Sequence, residues 1–239
     1  MPLFREPGIT FIHIPKTAGT SIELALGLDL DPAIENSDVC FGRLASPDLM
    51  KLELSSQFLQ HLRLGEMEAL HPDFVRDSWV FSVVRDPWTR LVSSFRRKDR
   101  AMADFAKWYY GLDLHALDFE QYVELAASHD LLHLRPQSTF LDGSAKVNIF
   151  YFERLSDLMQ VLSQRLGRTL VLPKANGPDS PLKRLSPRKE RRLRQRVAEI
   201  YAEDYQRFYP GQRPMEPDSM ASALAQSFGS RLGRVFGRS

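Results

Sequence analysis

Cysteine is nearly absent from this chain of 239 residues, which contains only Cys40. A single thiol excludes an internal disulfide and a zinc site built from several cysteines, and it is typical of proteins in a reducing compartment. No recognisable motif surrounds Cys40, so we expect a packing or incidental role for it rather than a nucleophilic one.

Long apolar runs are also missing, since no uninterrupted stretch approaches the roughly 20 residues that a membrane-spanning helix needs. The first ten residues, MPLFREPGIT, lack the basic, apolar and small-residue order of a secretory signal. We therefore expect a cytoplasmic protein without a membrane span.

The net charge is also small: 32 Lys and Arg residues against 30 Asp and Glu residues give +2. So small a net charge argues against extensive binding of nucleic acid, and any binding of anions must depend on a local group of residues. The length, with 43% hydrophobic and 26% charged residues, is typical of one mid-sized soluble domain with an appendage. We place the domain at residues 1–210 and a tail at 211–239.

Apolar runs and helical patterns alternate along the domain. Three predicted buried strands, at residues 8–14, 79–84 and 147–152, are followed by predicted helices at 20–28, 88–97 and 155–166. This alternation predicts an α/β fold with a parallel sheet flanked by helices. Further helices are predicted at 49–70, 118–127 and 186–209.

The first candidate site, HIPKTAGTS, follows the first predicted strand and opens the next helix. In an open parallel sheet this position places ligands, and a helix start offers unpaired amides to a phosphate. The loop has an anion-binding composition. However, Lys16 precedes the glycine by three residues, whereas in the P-loop pattern G-x-x-x-x-G-K-[ST] the lysine directly precedes the hydroxyl that binds Mg²⁺. The segment therefore does not match that pattern. As a bare pattern, the segment could also be merely structural. The candidate phosphate-binding residues of this loop are Pro15, Lys16, Thr17, Ala18, Gly19, Thr20 and Ser21.

The second candidate site, RDPWTRLVS, follows the second predicted strand. Arg85 can fork two hydrogen bonds onto a phosphate, and Ser93, two helical turns further on, can donate another. The alternative is that Arg85 pairs with Asp86 or another carboxylate at a helix cap.

Together the two segments resemble the phosphate-binding motifs of sulfotransferases. HIPKTAGTS is similar to their 5'-phosphosulfate loop, and RDPWTRLVS is similar to their 3'-phosphate motif. The P-K-T-A-G-T-S variant resembles the carbohydrate sulfotransferase group, which includes heparan 2-O- and chondroitin sulfotransferases and small bacterial homologues. Weaker similarities, in the segments QHLRLGEMEAL, LRPQSTFL, FERL and LPKAN, extend the resemblance over roughly residues 8–209.

The resemblance implies a P-loop-like fold, the donor 3'-phosphoadenosine 5'-phosphosulfate (PAPS), no metal, and a carbohydrate or glycolipid acceptor. It also places the family's catalytic histidine at His61. Lys16 suits the stabilisation of charge on the departing phosphate, because positioning and electrostatics should dominate such a transfer. His61 is a natural general base at neutral pH, with a surface or capping role as the alternative. We expect His13 to be packed beside the loop. Acceptor contacts are predicted for His133, Arg135 and Gln137, with a structural role as the alternative for His133.

Three surface features have less specific interpretations. The basic run from Lys183 to Arg213 is either a solvated helix face or an attractor of an anionic glycan or lipid head group. Trp88 and the aromatic run Trp108–Tyr110 could stack on a sugar, but core or rim packing is the favoured interpretation. An apolar stripe in residues 220–236 fits either a loosely docked tail or an amphipathic helix in peripheral contact with a membrane.

Two rival functions stay open at this point. One is a P-loop kinase or NTPase, in which Asp86 or Glu153 would hold Mg²⁺; the displaced Lys16 argues against it. The other is a non-catalytic module that keeps the nucleotide site without turnover. The sequence leaves the oligomeric state open.

Overall fold

The computed structural model describes residues 2–173 and 185–211. Its strands are β1 (Leu3–Phe4), β2 (Ile9–Ile12), β3 (Trp79–Val84) and β4 (Asn148–Tyr151). Its helices are α1 (Gly19–Ala25), α2 (Pro47–Met50), α3 (Leu64–Leu70), α4 (Pro72–Asp77), α5 (Pro87–Arg97), α6 (Arg100–Tyr110), α7 (Phe119–Ser128), α8 (Leu155–Arg165), α9 (Pro187–Ile200) and α10 (Ala202–Phe208). Short 3₁₀ turns occur at Leu59–His61, Ser138–Leu141 and Phe152–Arg154.

The four strands form one sheet in the order β1-β2-β3-β4. Strands β2, β3 and β4 are parallel, with Phe11 opposite Phe81 and Val83 opposite Phe150. The short edge strand β1 pairs antiparallel with β2. Since the three parallel strands run the same way, the segments that leave their carboxyl ends meet at one edge of the sheet, as in other α/β proteins.

Both faces of the sheet are covered, because side chains alternate across a strand. Phe11 and Phe81 point to the face that packs against Ile22 of α1 and Leu158 of α8. The opposite face packs against α3, α4 and α10 and includes the buried Cys40. The chain is thus a single α/β domain with a P-loop-like parallel sheet flanked by helices, as predicted.

A second apolar cluster joins α5, α6, α7 and α9 beside the sheet. The basic helix α9 lies against the acidic side of α7: Lys189 and Arg192 pair with Glu120, and Arg196 pairs with Glu124 at 2.9 Å. Part of the predicted basic face therefore holds two helices together.

The predicted helix at 49–70 is wrong, because only its ends are helical. The backbone N–H of Ser55 donates to the Glu66 carboxylate at 2.5 Å, and Phe58 forms an extended bridge with Arg43. Serine side chains also compete with helical hydrogen bonds, and Ser56 accepts from the backbone N–H of Phe58.

The predicted helix at 186–209 is two helices that meet at Tyr201, whose φ is −108°. The Tyr201 hydroxyl donates to the carbonyl oxygen of Leu134 at 2.7 Å. This change of direction lets α9 pack in the helical cluster while Tyr205 and Phe208 of α10 pack on the sheet.

Among the other predictions, the strand at 79–84 matches β3. The edge strand β1 and the helix α6 had not been predicted from the sequence. Trp88 is buried, whereas Trp108 and Tyr109 are 81% and 63% exposed. Apart from Gly211, the predicted tail lies outside the described residues, as do most of LPKAN and part of the basic run. Within residues 2–173 and 185–211, no helix has the length and apolar character needed to cross a bilayer.

Candidate active site

The candidate site lies where β2, β3 and β4 end. His13 follows β2, Arg85 follows β3, and Phe152 follows β4. Because these strands are neighbours in the sheet, residues from distant parts of the sequence come together at its carboxyl edge.

The loop after β2 has an unusual backbone. Lys16 and Ala18 have φ values of 72° and 73°, in the left-handed region that non-glycine residues seldom adopt. Thr17 between them is fully buried, and its hydroxyl donates to the carbonyl oxygen of Ile14 at 2.8 Å, which fixes the turn. Loops with alternating left-handed residues turn successive N–H groups to one side and form anion-binding concavities.

Around this loop the other predicted residues differ in exposure. Pro15 and Ser21 are buried, Lys16 and Ala18 are partly buried, and Thr20 at the start of α1 is exposed. Thr20 is therefore the hydroxyl of the loop that faces solvent.

Gly19 is required here by a protein contact. A Cβ at this position would lie 1.9 Å from Nε2 of His13, so any side chain would collide with the imidazole. His13 in turn donates from Nδ1 to the Glu23 carboxylate at 2.6 Å, and both side chains are buried. The imidazole is thus fixed between the loop and α1, which agrees with the packed position expected for His13.

Arg85 joins the two sequence motifs. Its guanidinium donates from Nη1 to the backbone carbonyl oxygen of Lys16 at 3.2 Å and from Nε to the hydroxyl of Thr89 at 3.1 Å. The guanidinium carbon also lies 3.9 Å from the centre of the Phe152 ring. Ser93 is buried on α5, two turns after the proline that opens this helix. The side chain of Arg85 is therefore fixed beside the loop after β2.

The two carboxylates nearest Arg85 are used inside the protein. Asp86 caps α5 by accepting from the N–H of Thr89, and its other oxygen accepts from the hydroxyl of Tyr205. Glu153 accepts from the backbone N–H of Asp86 and from the hydroxyl of Tyr209. Burial raises the pKa of both carboxyl groups. Oxygens committed to internal donors are poor candidates for the Mg²⁺ ligands of a kinase or NTPase.

His61 lies against the same loop. Its Nδ1 is 2.9 Å from the carbonyl oxygen of His13, and the two rings are 4.4 Å apart. Since a carbonyl oxygen only accepts, Nδ1 carries the hydrogen and Nε2 keeps its lone pair. Burial holds the pKa of His61 well below its usual value, and the nearby His13 lowers it further. His61 is therefore a neutral imidazole at physiological pH, and the lone pair of its Nε2 can accept a hydrogen bond or a proton.

A third histidine, His133, stands 6.3 Å from the His61 ring. Its Nδ1 is buried and has no hydrogen-bond partner in the part of the chain that the structure describes. Burial, with a further contribution from the charge of Lys16, lowers the pKa of His133 to about 3. An uncharged imidazole with an unsatisfied buried nitrogen is suited to a hydrogen bond with a ligand.

The model of the sulfotransferase family matches this chain over residues 3–210. The chain belongs to the sulfotransferase family. No curated protein and no solved structure matches it. The match covers both phosphate motifs and every helix and strand described above, so sulfuryl transfer is the reaction to which this geometry belongs.

Arg135 of this sulfotransferase has structural partners. It forms an ion pair with Asp130, with Nε 2.5 Å from Oδ1, and donates to the backbone oxygen of Ser55 at 2.6 Å. These contacts tie the loop before α3 to the segment that carries His133.

The side chain of Gln137 is completely buried and is bonded to the backbone of Arg85. The structure therefore places it behind the start of RDPWTRLVS, where an acceptor would have no access to it. The prediction of an acceptor contact for Gln137 is corrected on this ground, because the resemblance of the R-P-Q stretch gave no information on the direction of its side chains.

Arg90, the second arginine of RDPWTRLVS, had no role predicted from the sequence. This residue of the sulfotransferase is 1% exposed and donates to the carbonyl oxygens of His133 and Arg135. Its place in the motif, one helical turn after Asp86, is a signal that could have identified it. Arg90 fixes the backbone that presents His133.

Proposed function

We propose that this sulfotransferase moves a sulfuryl group from PAPS to a hydroxyl of a carbohydrate or glycolipid acceptor, without a metal. The observation that carries the proposal is the hydrogen bond from Arg85 to the backbone of Lys16. This bond brings Arg85 beside the loop after β2. Their proximity supports a site in which Arg85 would bind the 3'-phosphate and the loop would bind the 5'-phosphate of the same adenosine.

On the donor side, each phosphate has its own group of residues. The backbone amides of the loop after β2, with the hydroxyls of Thr20 and Ser21, would hold the 5'-phosphate. Arg85 and Ser93 would bind the 3'-phosphate, for which a planar guanidinium is suited. ATP has no phosphate at that position, so these two residues favour PAPS over ATP.

In the transfer step, Nε2 of His61 takes the proton of the acceptor hydroxyl while that oxygen forms a bond to sulfur. The bond between sulfur and the bridging phosphate oxygen breaks, and adenosine 3',5'-bisphosphate leaves with the electron pair. The ammonium group of Lys16 stabilises the charge that builds on this oxygen. The proton stays on His61 until it is released to solvent, the electron pair leaves with the phosphate oxygen, and no metal is needed to balance the step.

On the acceptor side, His133 is the best-supported contact among the residues predicted from the sequence. Its ring lies 6.3 Å from that of His61, so His133 would lie beside the hydroxyl from which His61 takes the proton. Carbohydrates carry hydroxyls on adjacent carbons, which supports a saccharide acceptor. Arg135 would act indirectly, through the segment that it holds in place.

Two measurements test this function. In thermal unfolding, adenosine 3',5'-bisphosphate should stabilise the protein without magnesium, whereas stabilisation by Mg-ATP alone would identify the kinase or NTPase instead. With PAPS labelled in its sulfate, label should move to a member of a panel of saccharides and glycolipids, and a His61→Ala control should not transfer it. Tight nucleotide binding with no transfer to any acceptor would favour the non-catalytic module.

A further inference from the structure

The side-chain amide of Gln137 hydrogen bonds to both the backbone N–H and the backbone carbonyl oxygen of Arg85. The backbone N–H of Arg85 donates to Oε1 of Gln137 at 2.8 Å, and Nε2 of Gln137 donates to the carbonyl oxygen of Arg85, also at 2.8 Å. Gln137 is completely buried. Arg85 lies one residue beyond the end of β3, so this pair of bonds extends the order of the sheet to the arginine itself.

Asp204 of α10 fixes the orientation of that amide. Its Oδ2 accepts from the backbone N–H of Gln137 at 2.8 Å and from Nε2 of Gln137 at 3.3 Å. Its Oδ1 accepts from the backbone N–H of Ser138 at 2.9 Å. A carboxylate only accepts, so the amide nitrogen of Gln137 must face Asp204 and the amide oxygen must face the N–H of Arg85.

The same helix also holds the residue after Arg85. The hydroxyl of Tyr205 lies 3.1 Å from Asp86, and that of Tyr209, just after α10, lies 3.1 Å from Glu153. Glu153 accepts from the backbone N–H of Asp86 at 2.9 Å. Three hydrogen-bonded routes therefore run from α10 and Tyr209 to the two residues that open RDPWTRLVS: one ends at Arg85, and two end at Asp86.

We propose that Asp204 and Gln137 are positioning residues that aim Arg85 at the 3'-phosphate, so that α10 sets the donor specificity of the site. The inference rests on the proposed use of a 3'-phosphorylated donor. Neither residue is exposed to the donor; they act through the backbone of Arg85. Removing either one leaves buried backbone groups without partners, which allows the arginine to move.

The test compares Asp204→Asn with Glu203→Gln, a matched control that removes the same charge from an exposed neighbour on α10. In Asp204→Asn an amide group replaces an oxygen that accepts from Gln137 or Ser138. By calorimetry, the preference for adenosine 3',5'-bisphosphate over adenosine 5'-monophosphate should fall about tenfold, while affinity for the monophosphate stays within twofold. Glu203→Gln should retain the preference. An equal loss of affinity for both nucleotides would show a merely structural role and overturn the inference.

A second readout needs no nucleotide. Amide hydrogen exchange around Arg85 should accelerate in Asp204→Asn and should match the unmodified protein in Glu203→Gln, because the N–H of Arg85 depends on Gln137 for protection. Unchanged exchange at Arg85 would refute the positioning role. If the unmodified protein shows no preference for the 3'-phosphate, the proposed function fails, and the exchange result still decides the role of Asp204.

Gln137→Met keeps the test decisive if Asp204→Asn does not fold. Methionine has a similar length and volume but forms neither of the strong hydrogen bonds to Arg85, while Asp204 keeps two backbone donors. We expect the same loss of 3'-phosphate preference and the same faster exchange at Arg85. A folded Gln137→Met protein that behaves like the unmodified one would overturn the inference.

Discussion

The guanidinium of Arg85 donates a hydrogen bond to the carbonyl oxygen of Lys16, 69 residues earlier in the chain. The contact joins the segments that follow two neighbouring parallel strands and brings HIPKTAGTS and RDPWTRLVS together. Because a backbone oxygen is the acceptor, the link depends on the conformation of the loop rather than on the side chain of Lys16. Replacing the side chain of Lys16 therefore leaves the acceptor of this contact in the chain, whereas replacing Arg85 removes the donor.

Arg85→Ala should abolish the preference for nucleotides with a 3'-phosphate. A charge-assisted bidentate contact is lost, so affinity for adenosine 3',5'-bisphosphate should fall about 10- to 100-fold while affinity for adenosine 5'-monophosphate changes little. Calorimetry with both nucleotides measures this. Arg100→Ala, on the exposed start of α6, is the control that should bind as before. Retained discrimination in Arg85→Ala would refute the assignment.

Lys16→Ala should reduce turnover more than donor affinity. If the ammonium group acts on the charge of the departing phosphate, kcat should fall roughly 10²- to 10³-fold, as when one transition-state donor is removed. Initial rates with sulfate-labelled PAPS give kcat and the donor KM. The exposed Lys51 supplies the control variant, Lys51→Ala. Equal losses in kcat and donor affinity would contradict a role specific to the transition state.

His61→Ala should stop transfer while leaving nucleotide binding intact. A lost general base slows turnover about 10²- to 10⁴-fold. Labelled transfer and calorimetry with adenosine 3',5'-bisphosphate are measured on the same preparation, with the exposed His115→Ala as control. Near-normal transfer would assign the base to another residue.

Gly19→Ala should destabilise the protein, although alanine normally stabilises a helix relative to glycine. The new Cβ would collide with the His13 ring, at a cost of about 1–3 kcal/mol in the free energy of unfolding. Urea denaturation of Gly19→Ala, His13→Ala and the double variant measures the coupling. In the double variant the Gly19→Ala penalty should largely disappear. A penalty of the same size with and without the ring would disprove the clash.

Acid should destabilise the protein partly through His133. Its pKa is about 3 in the folded protein against 6.5 in a solvated histidine, so the unfolded state binds more protons between these values. The stability from the neutral ring is present above pH 6.5 and is lost as the pH falls towards 3. Between pH 7 and pH 5 the loss from this residue is about 2 kcal/mol. Denaturation of His133→Gln at both pH values should show a smaller loss; an equal loss would contradict the prediction.

The sequence was most informative where a local pattern determines the structure. The apolar run at 79–84 matches β3 residue for residue. A strand that is buried on both faces has apolar residues at nearly every position, and such a run is easy to recognise in a sequence. The segments HIPKTAGTS and RDPWTRLVS could be assigned to one candidate site because strand, loop and helix are consecutive in the chain.

Side-chain direction could not be predicted, since it depends on partners far away in the sequence. Gln137 was expected at the acceptor but bonds to Arg85, 52 residues before it. Asp204 gave no signal, because a lone aspartate in a helix is normally a surface residue. The break at Tyr201 was also missed; there the hydroxyl of Tyr201 donates to Leu134, 67 residues earlier in the chain.

The contacts of α10 have a consequence for biosynthesis. Asp204, Tyr205 and Tyr209 are translated more than 100 residues after Arg85, so a ribosome-bound nascent chain can form β3 and α5 before it has the groups that hold them. A nascent chain stalled before residue 204 should therefore fail to be retained on a resin carrying immobilised adenosine 3',5'-bisphosphate. Nucleotide capture would then be an activity that the polypeptide acquires only after α10 has been synthesised.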